Sequence, residues 1–322
     1  MRKLLAKVLI VFLILTSKSF AFEKVGTTSF QFLKVITSAR AAAMGGAYSA
    51  IAFSSDAIFW NPAGLTQIKN FALGFGYLDW FMDVQHYSFS AAYTIDGIGT
   101  FGVLGMGTSV GDIPVTTVSQ LGFVDGVYNP GLTGESFSPS SSVFGISFAR
   151  QLNDKFSFGL TVKYAREDLI YESAEAIIFD GGLRFDTKFK SIVIAATLRH
   201  FGPEIKFVDE SYPLPQTLNI GISAYLFSDD DPLLMTVKSH KLLLAYDIVQ
   251  PRDFDQQHNV GMEYGYEGLV YIRGGYVFNS DQEGLNAGIG VDYRGYRVDY
   301  AYSEHGTYLG SVHRVSVSYS IN

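Results

Sequence analysis

Over residues 285–294 the chain alternates without a break. Leu285, Ala287, Ile289, Val291 and Tyr293 take one set of positions; Asn286, Gly288, Gly290, Asp292 and Arg294 take the other. Successive side chains of a β-strand point to opposite faces, so this stretch predicts a strand with one apolar face and one polar or small face. The pattern returns at 177–186, where Ile177, Phe179, Leu183 and Phe185 oppose Asp180, Gly182, Arg184 and Asp186. It recurs at 259–267 and closes the chain, with Val315, Val317, Tyr319 and Ile321 against Arg314, Ser316, Ser318 and Ser320. A soluble sandwich would carry Lys, Glu and Thr on its polar face. Here that face carries Gly, Ser and Asn with scattered charges of both signs. This composition suits a crowded wet lumen, and the aromatic-rich opposite face suits lipid. The pattern predicts an all-β transmembrane barrel.

Fourteen segments read as strands: 71–81, 85–95, 99–110, 140–152, 155–167, 174–187, 191–201, 214–227, 240–250, 257–267, 269–279, 284–294, 296–304 and 311–322. The number is even, as in bacterial single-chain barrels, and the strands are antiparallel neighbours. Connections after even-numbered segments are mostly tight, as at Asp96-Gly97, Asn153-Asp154, Glu267-Gly268 and Arg294-Gly295. Those after odd-numbered segments are often long, as at 111–139, 202–213 and 251–256. Short periplasmic turns and long outer loops give this parity when the first strand runs outward, which puts both chain ends on the periplasmic side. The connection 228–239 (SDDDPLLMTVKS) breaks the rule.

The N-terminus sets the compartment. Arg2, Lys3 and Lys7 precede the apolar run VLIVFLIL, and Ser19 and Ala21 form a small-x-small cleavage site, so residues 1–21 are expected to be a signal peptide. Its removal takes Arg2, Lys3, Lys7 and Lys18 from the 24 basic residues and leaves 20 against 31 acidic ones, a charge of −11. Such a balance excludes a nucleic-acid footprint of clustered cations. The chain has no Cys, which suits an exported protein independent of disulfides.

Residues 22–70 are the only long non-strand stretch, and residues 71–322 form the barrel. A fourteen-strand bore is wider than its own side chains fill, so 22–70 is expected to fold inside as a plug, entering from the periplasmic side. Ala41, Ala42, Ala43, Ala47 and Ala50 would let backbone approach the wall. Gly45, Gly46 and Gly64 mark bends, Asp56 caps a turn, Trp60 is too apolar to leave in water, and Asn61-Pro62 turns the chain into the first strand. The charges Asp180, Arg184, Asp186, Asp292, Arg294, Arg297, Asp299 and Arg314 are expected to face the lumen and hold this plug.

The stretch SARAAAMGGAYSAIAFSSDAIFWNPAGL resembles the N-terminal signature of the PorV/PorQ outer-membrane proteins, relatives of the FadL-type channels for hydrophobic compounds. SYPLPQTLNIGISAY, PRDFD, GLNAGIGVDYR and DYAYS resemble the same group. The resemblance implies a FadL-like fourteen-strand barrel with an N-terminal plug in the bacterial outer membrane. It also implies a secretion-associated partner of the type IX kind, holding exported cargo or secretion-system proteins through its loops. The alternative is a FadL-like channel that moves a hydrophobic small molecule past the plug through a lateral opening, and that would also bind detergent or lipid.

No catalytic grouping accompanies this pattern. Ser147 and Ser223 lie inside strands without a nucleophile elbow, and the six His show no metal-ligand spacing. Asp253, Asp255 and His258 cluster in a loop that reads as solvated. A non-enzyme without cofactor or metal is expected. Leu121, Phe123 and Tyr128 in the 111–139 loop are the residues expected to meet a partner or ligand.

Overall fold

The computed structural model describes residues 26–169, 171–207, 209–280, 283–306 and 310–321. The expected signal peptide lies outside them. Fourteen antiparallel strands close into one barrel. They are β1 (Phe71–Asp79), β2 (Gln85–Ile95), β3 (Gly99–Ser109), β4 (Ser140–Gln151), β5 (Phe156–Asp168), β6 (Ser173–Asp186) and β7 (Val193–Phe201). The second half comprises β8 (Thr217–Ser228), β9 (His240–Pro251), β10 (Gln257–Tyr266), β11 (Val270–Phe278), β12 (Leu285–Tyr293), β13 (Tyr296–Glu304) and β14 (Ser311–Ile321). Each strand pairs with its neighbour in sequence. β1 and β14 close the ring in unbroken register from Phe71 opposite Ile321 to Asp79 opposite His313. Closure pairs the first strand with the last, as a sheet requires in hydrocarbon, where no water can satisfy a free backbone group.

The alternation resolves as expected. On β13 every second residue is buried and the rest are exposed. Ile177, Phe179, Leu183, Ile289, Val291 and Val317 lie on the outer surface, whereas Asp180, Arg297, Asp299 and Arg314 are buried inside. The exposed belt of Phe, Tyr, Ile, Leu and Val is a lipid-facing surface, and the barrel is that of an outer-membrane protein. Among the described residues no helix is long and apolar enough to cross a membrane; the strands do the crossing.

Two connections differ from their sequence reading. The 111–139 loop is largely a β-hairpin, Ile113–Val124 paired with Val127–Phe137, in a sheet of its own. Its apolar residues follow no alternation because both faces are exposed. The long connection 229–239 serves the wall. β7 pairs with β8 only as far as Ser223, and beyond that point Leu233 N–H donates to Tyr225 O (2.7 Å). Met235 and Thr236 then run parallel to Phe227 and Ser228. The extra residues cover an edge that β7 leaves open.

Residues 28–68 form short turns and one five-residue helix, α1 (Ala39–Ala43), and nearly all are buried. They touch inward positions on strands around the ring. The expectation that this segment enters at the end where β1 begins is corrected. Ser29 N–H donates to Pro213 O (3.0 Å), and Pro213 lies at the opposite, loop end. From there the segment runs the length of the bore to Phe71. A chain that must reach β1 at one end while anchoring at the other can only thread the lumen lengthwise.

Ile289 sits in the middle of β12 with 58% of its surface exposed. Ile289→Lys should destabilise the barrel by ~2–4 kcal/mol at mid-membrane, read from urea unfolding in lipid vesicles. The same change at Phe123 in the hairpin should leave the barrel's stability unaltered.

Candidate functional site

The candidate site is the lumen, where the N-terminal segment meets the wall. Its centre is ionic. Ser38 caps α1 by accepting the Ala41 N–H (3.4 Å), and the alanines at 39 and 41–43 let the helix lie against the wall, with Ala43 directly over Gly288. The one long side chain on this helix, Arg40, therefore reaches across. It donates from Nε to Glu263 Oε2 (2.7 Å) and from Nη2 to Glu263 Oε1 (2.8 Å). Arg273 Nε donates to the same Oε2 at 2.6 Å, and Arg273 Nη1 stands 2.9 Å from Asp299 Oδ1. Arg297 Nε donates to Asp299 Oδ2 at 2.9 Å. Asp56 adds a third carboxylate, accepting from Ser38 Oγ (2.8 Å) and Tyr48 Oη (3.1 Å). Three arginines and three acids thus share one desolvated cluster. Phe53 lies beneath two of the guanidiniums, with Arg40 at 4.7 Å and Arg297 at 5.5 Å from the ring centre.

Further grips surround this centre. Asp247 Oδ2 accepts the backbone N–H groups of Tyr48 (3.3 Å) and Ser49 (2.9 Å). Asn61 Nδ2 donates to Ser49 O (2.9 Å), and its Oδ1 accepts the Ala63 N–H (3.1 Å). Asn61 therefore caps the turn Pro62–Gln67 and does not itself deliver the chain to β1. Arg199 stacks on Trp60 at 4.7 Å, and Lys163 pairs with Asp180 at 2.5 Å. Gly45 and Gly46 both have positive φ, 61° and 73°. A Cβ on Gly45 would stand 2.8 Å from Tyr276 N, so the bend and the close approach both require glycine. Gly64 abuts the Ala52 backbone.

The loop end is sealed differently. Asp253, 2% exposed, accepts from Thr28 Oγ1 (2.6 Å), Gln31 Nε2 (3.1 Å) and Lys34 Nζ (2.8 Å). Phe30, Phe32, Leu33, Ile205 and Leu214 form an apolar layer just below, with Phe207 edge-on to Phe30 at 6.2 Å. The cavities left around the segment are small. One of about 40 Å³ touches Arg40, Tyr48, Asp56 and Arg297, and one of about 30 Å³ touches Leu33, Trp60, Lys163 and Arg199. Such volumes admit a water or two and no organic molecule. The ladders β14–β1–β2–β3–β4 run without register shifts, so this wall holds no lateral opening among the described residues.

The expected lumen charges divide. Asp180, Arg297, Asp299 and Arg314 are buried in the bore, Arg314 donating to Ile36 O (2.9 Å) and Ser303 Oγ (2.7 Å). Arg184, Asp186 and Asp292 are half-exposed near the rim where β1 begins, with Asp186 paired to Lys188 at 3.1 Å. Arg294 does not face the lumen. It occupies the tight turn between β12 and β13 with φ 53°, exposed and lying over Tyr293. The turn ends the alternation one residue earlier than the sequence pattern extends it. Sequence reasoning missed Arg40, Glu263, Arg273 and Asp247, and its reading of Asp253 as solvated is corrected, because the N-terminal segment covers that carboxylate and leaves it 2% exposed. For Glu263 and Arg273 the signal was present, since both fall on the polar register of their strands. Leu121, Phe123 and Tyr128 lie far from this site, exposed near the hairpin tip, where Phe123 packs on Tyr128 at 5.6 Å.

No protein-family model and no curated protein sequence matches the chain. Solved structures do. The chain is similar to the CymD monoaromatic hydrocarbon channel, with a TM-score of 0.57 and 15% identity over 94% of this chain and 99% of that one. It is similar to the toluene transporter TodX of Pseudomonas putida, with a TM-score of 0.56 and 14% identity over 87% and 96%. A FadL homologue of Pseudomonas aeruginosa aligns with a TM-score of 0.51 and 10% identity over 89% and 98%. At these identities the likeness is one of fold, and the fold is the fourteen-strand barrel of FadL-type outer-membrane proteins.

Two outcomes follow for the anchors. Glu263→Gln leaves buried arginines without their charge partner and should cost ~3–5 kcal/mol in urea unfolding. Asp253 lies in the loop beyond β9. Burial alone would raise its pKa, but hydrogen bonds from Lys34, Thr28 and Gln31 outweigh burial and hold it below the usual carboxylate value. Its stabilisation is therefore complete above ~4, the unfolded value, and is lost as pH falls through the lower folded pKa. Hydrogen exchange at amides 28–34 should accelerate on acidification through that window. Asp253→Asn should exchange fast at every pH, and equal protection in the two proteins would contradict the latch.

Proposed function

We propose that this protein is an outer-membrane channel for small hydrophobic compounds, closed at rest by its own N-terminal segment acting as a plug. The observation that carries this reading is the filled bore: residues 28–68 run through the lumen end to end, and the cavities of about 40 Å³ and 30 Å³ beside them are water-sized. The barrel around them shares its fold with hydrocarbon channels along nearly its full length. In this reading the apolar layer of Phe30, Phe32, Leu33, Phe207 and Leu214 at the loop end receives the solute. Passage then requires the segment to yield. The side with fewer charged contacts on it is β14–β1–β2, where Gly74, Gly76, Ser88, Ser90, Ser316 and Ser318 face inward, and where the segment is held by hydroxyl bonds such as Ser90 Oγ to Ser55 Oγ (2.9 Å) and by Arg314 donating to Ile36 O (2.9 Å). The ionic grips lie on the β9–β13 side, so the segment would pivot towards them.

A second reading has its own observation. The hairpin exposes Val118, Leu121, Phe123, Val127 and Tyr128, an apolar surface suited to a protein partner, and the PorV/PorQ resemblance supports a secretion-associated role of the type IX kind for it.

Deletion of residues 39–64 should leave a barrel that assembles but conducts ions in a planar bilayer, whereas the intact protein stays tight. Toluene uptake by cells carrying the intact protein should exceed that of cells lacking it. Uptake indistinguishable between the two, with protein secretion impaired instead, would favour the second reading.

A further inference from the structure

The hairpin beyond β3 is a sheet with two open edges. Among the described residues Ile113–Val124 and Val127–Phe137 pair only with each other, and an isolated two-stranded ribbon is marginal in water. Its register is also broken. Ile113 faces Phe137 and Thr116 faces Leu132, but the next pair is Leu121 with Pro130, so residues 117–120 have no register partner across the hairpin. The two edges are unequal. The returning strand carries Pro130, and Gly131 and Gly134 with positive φ, features that spoil a ladder. The outgoing strand is free of proline from Val115 to Phe123 and rich in Val and Thr, the residues that favour strand pairing. Its charge has one sign: residues 110–139 contain Asp112, Asp125 and Glu135 and no Lys, Arg or His. Asp112 and Asp125 bracket the open edge.

We propose that the edge 115–123 accepts a third strand from another polypeptide, an extended segment of net positive charge. Main-chain hydrogen bonds along the edge supply the affinity, and the bracketing carboxylates select the charge. A second copy of this chain is disfavoured as the occupant, because two hairpins would bring six acidic residues together with no cation between them. The inference stands apart from the channel reading: it concerns the loop outside the barrel and holds whether or not the bore conducts.

The test uses the full-length protein in lipid nanodiscs and a ten-residue peptide alternating Val or Thr with Lys. Its two controls are the same peptide with Glu for Lys and the same peptide N-methylated at alternate residues. The Lys peptide should bind and slow hydrogen exchange at amides 115–123. Each control should bind at least about tenfold more weakly, since one loses the charge match and the other the ladder. Val118→Pro removes a backbone donor in the 117–120 stretch that has no register partner across the hairpin, so it should abolish binding while the barrel and the 121–130 pairing keep their exchange protection. Asp112→Lys with Asp125→Lys should transfer the preference to the Glu peptide. Binding of the N-methylated peptide as tight as its parent would overturn the proposal, as would protection appearing only at barrel strands. A dimer of the peptide-free protein that Val118→Pro dissociates would overturn it in favour of self-pairing.

Discussion

Glu263 accepts from two arginines of different origin, Arg273 on the neighbouring strand and Arg40 on the segment inside the bore. That shared carboxylate ties lumen to wall. A ring of fourteen strands leaves a space its own side chains do not fill, and the chain that fills it brings backbone groups and charges that cannot be left unpaired. The cluster of Arg40, Arg273, Arg297, Glu263, Asp299 and Asp56 balances three charges against three, so burying it is tolerable only while every member stays in place. The small residues follow from this. Ala43 over Gly288 and Gly45 against Gly275 bring α1 close enough for Arg40 to reach Glu263. The outward alternation of Ile, Val, Phe and Tyr is the other half of the same constraint, since a strand that turns its polar face to the segment must turn its apolar face to lipid.

The distribution of grips around the ring gives the closed state a direction. Ionic contacts concentrate on β9–β13, and a second polar set, Asn61 donating to Leu183 O and Arg199 stacked on Trp60, holds the segment to β6 and β7. Against β14–β1–β2 the segment meets mostly glycines and serines, with Arg314 donating to Ile36 O. In the proposed channel a segment fixed in this way would not leave the bore as a unit but would pivot about its charged side, yielding space where the wall carries its smallest side chains. At the loop end, on the proposed reading, a solute arriving from outside would meet Asp253 and the aromatic layer beneath it before it met the ions.

Most of the barrel was legible because strand periodicity depends on one local choice, the face on which each side chain lands. Ile289 and Asp299 could be assigned to lipid and lumen from their register alone. The pattern overreached at Arg294, where the turn takes over, and it was blind to the 113–137 hairpin, whose two exposed faces impose no alternation. The segment inside the bore was recognisable from its alanines, glycines and Trp60, but its direction of travel was not. That direction depends on Thr28 and Asp253, which lie far apart in sequence and meet only once the ring has closed. Arg40 hid for the same reason: a lone cation among alanines acquires meaning only through Glu263 and Asp56. The connection 229–239 looked anomalous because its purpose, covering the end of β8, exists only in three dimensions.

If the segment closes the bore as proposed, it must move for solute to pass. The chain has no cysteine of its own, so a single disulfide can test this. A Cβ built on Gly221 of β8 lies 3.1 Å from the Ser49 Cβ, near the ~3.5–4.5 Å that a disulfide spans. In the Ser49→Cys, Gly221→Cys protein, oxidation should abolish toluene uptake and reduction should restore it, with neither single variant responding. Uptake that continues unchanged with the disulfide formed would contradict the account.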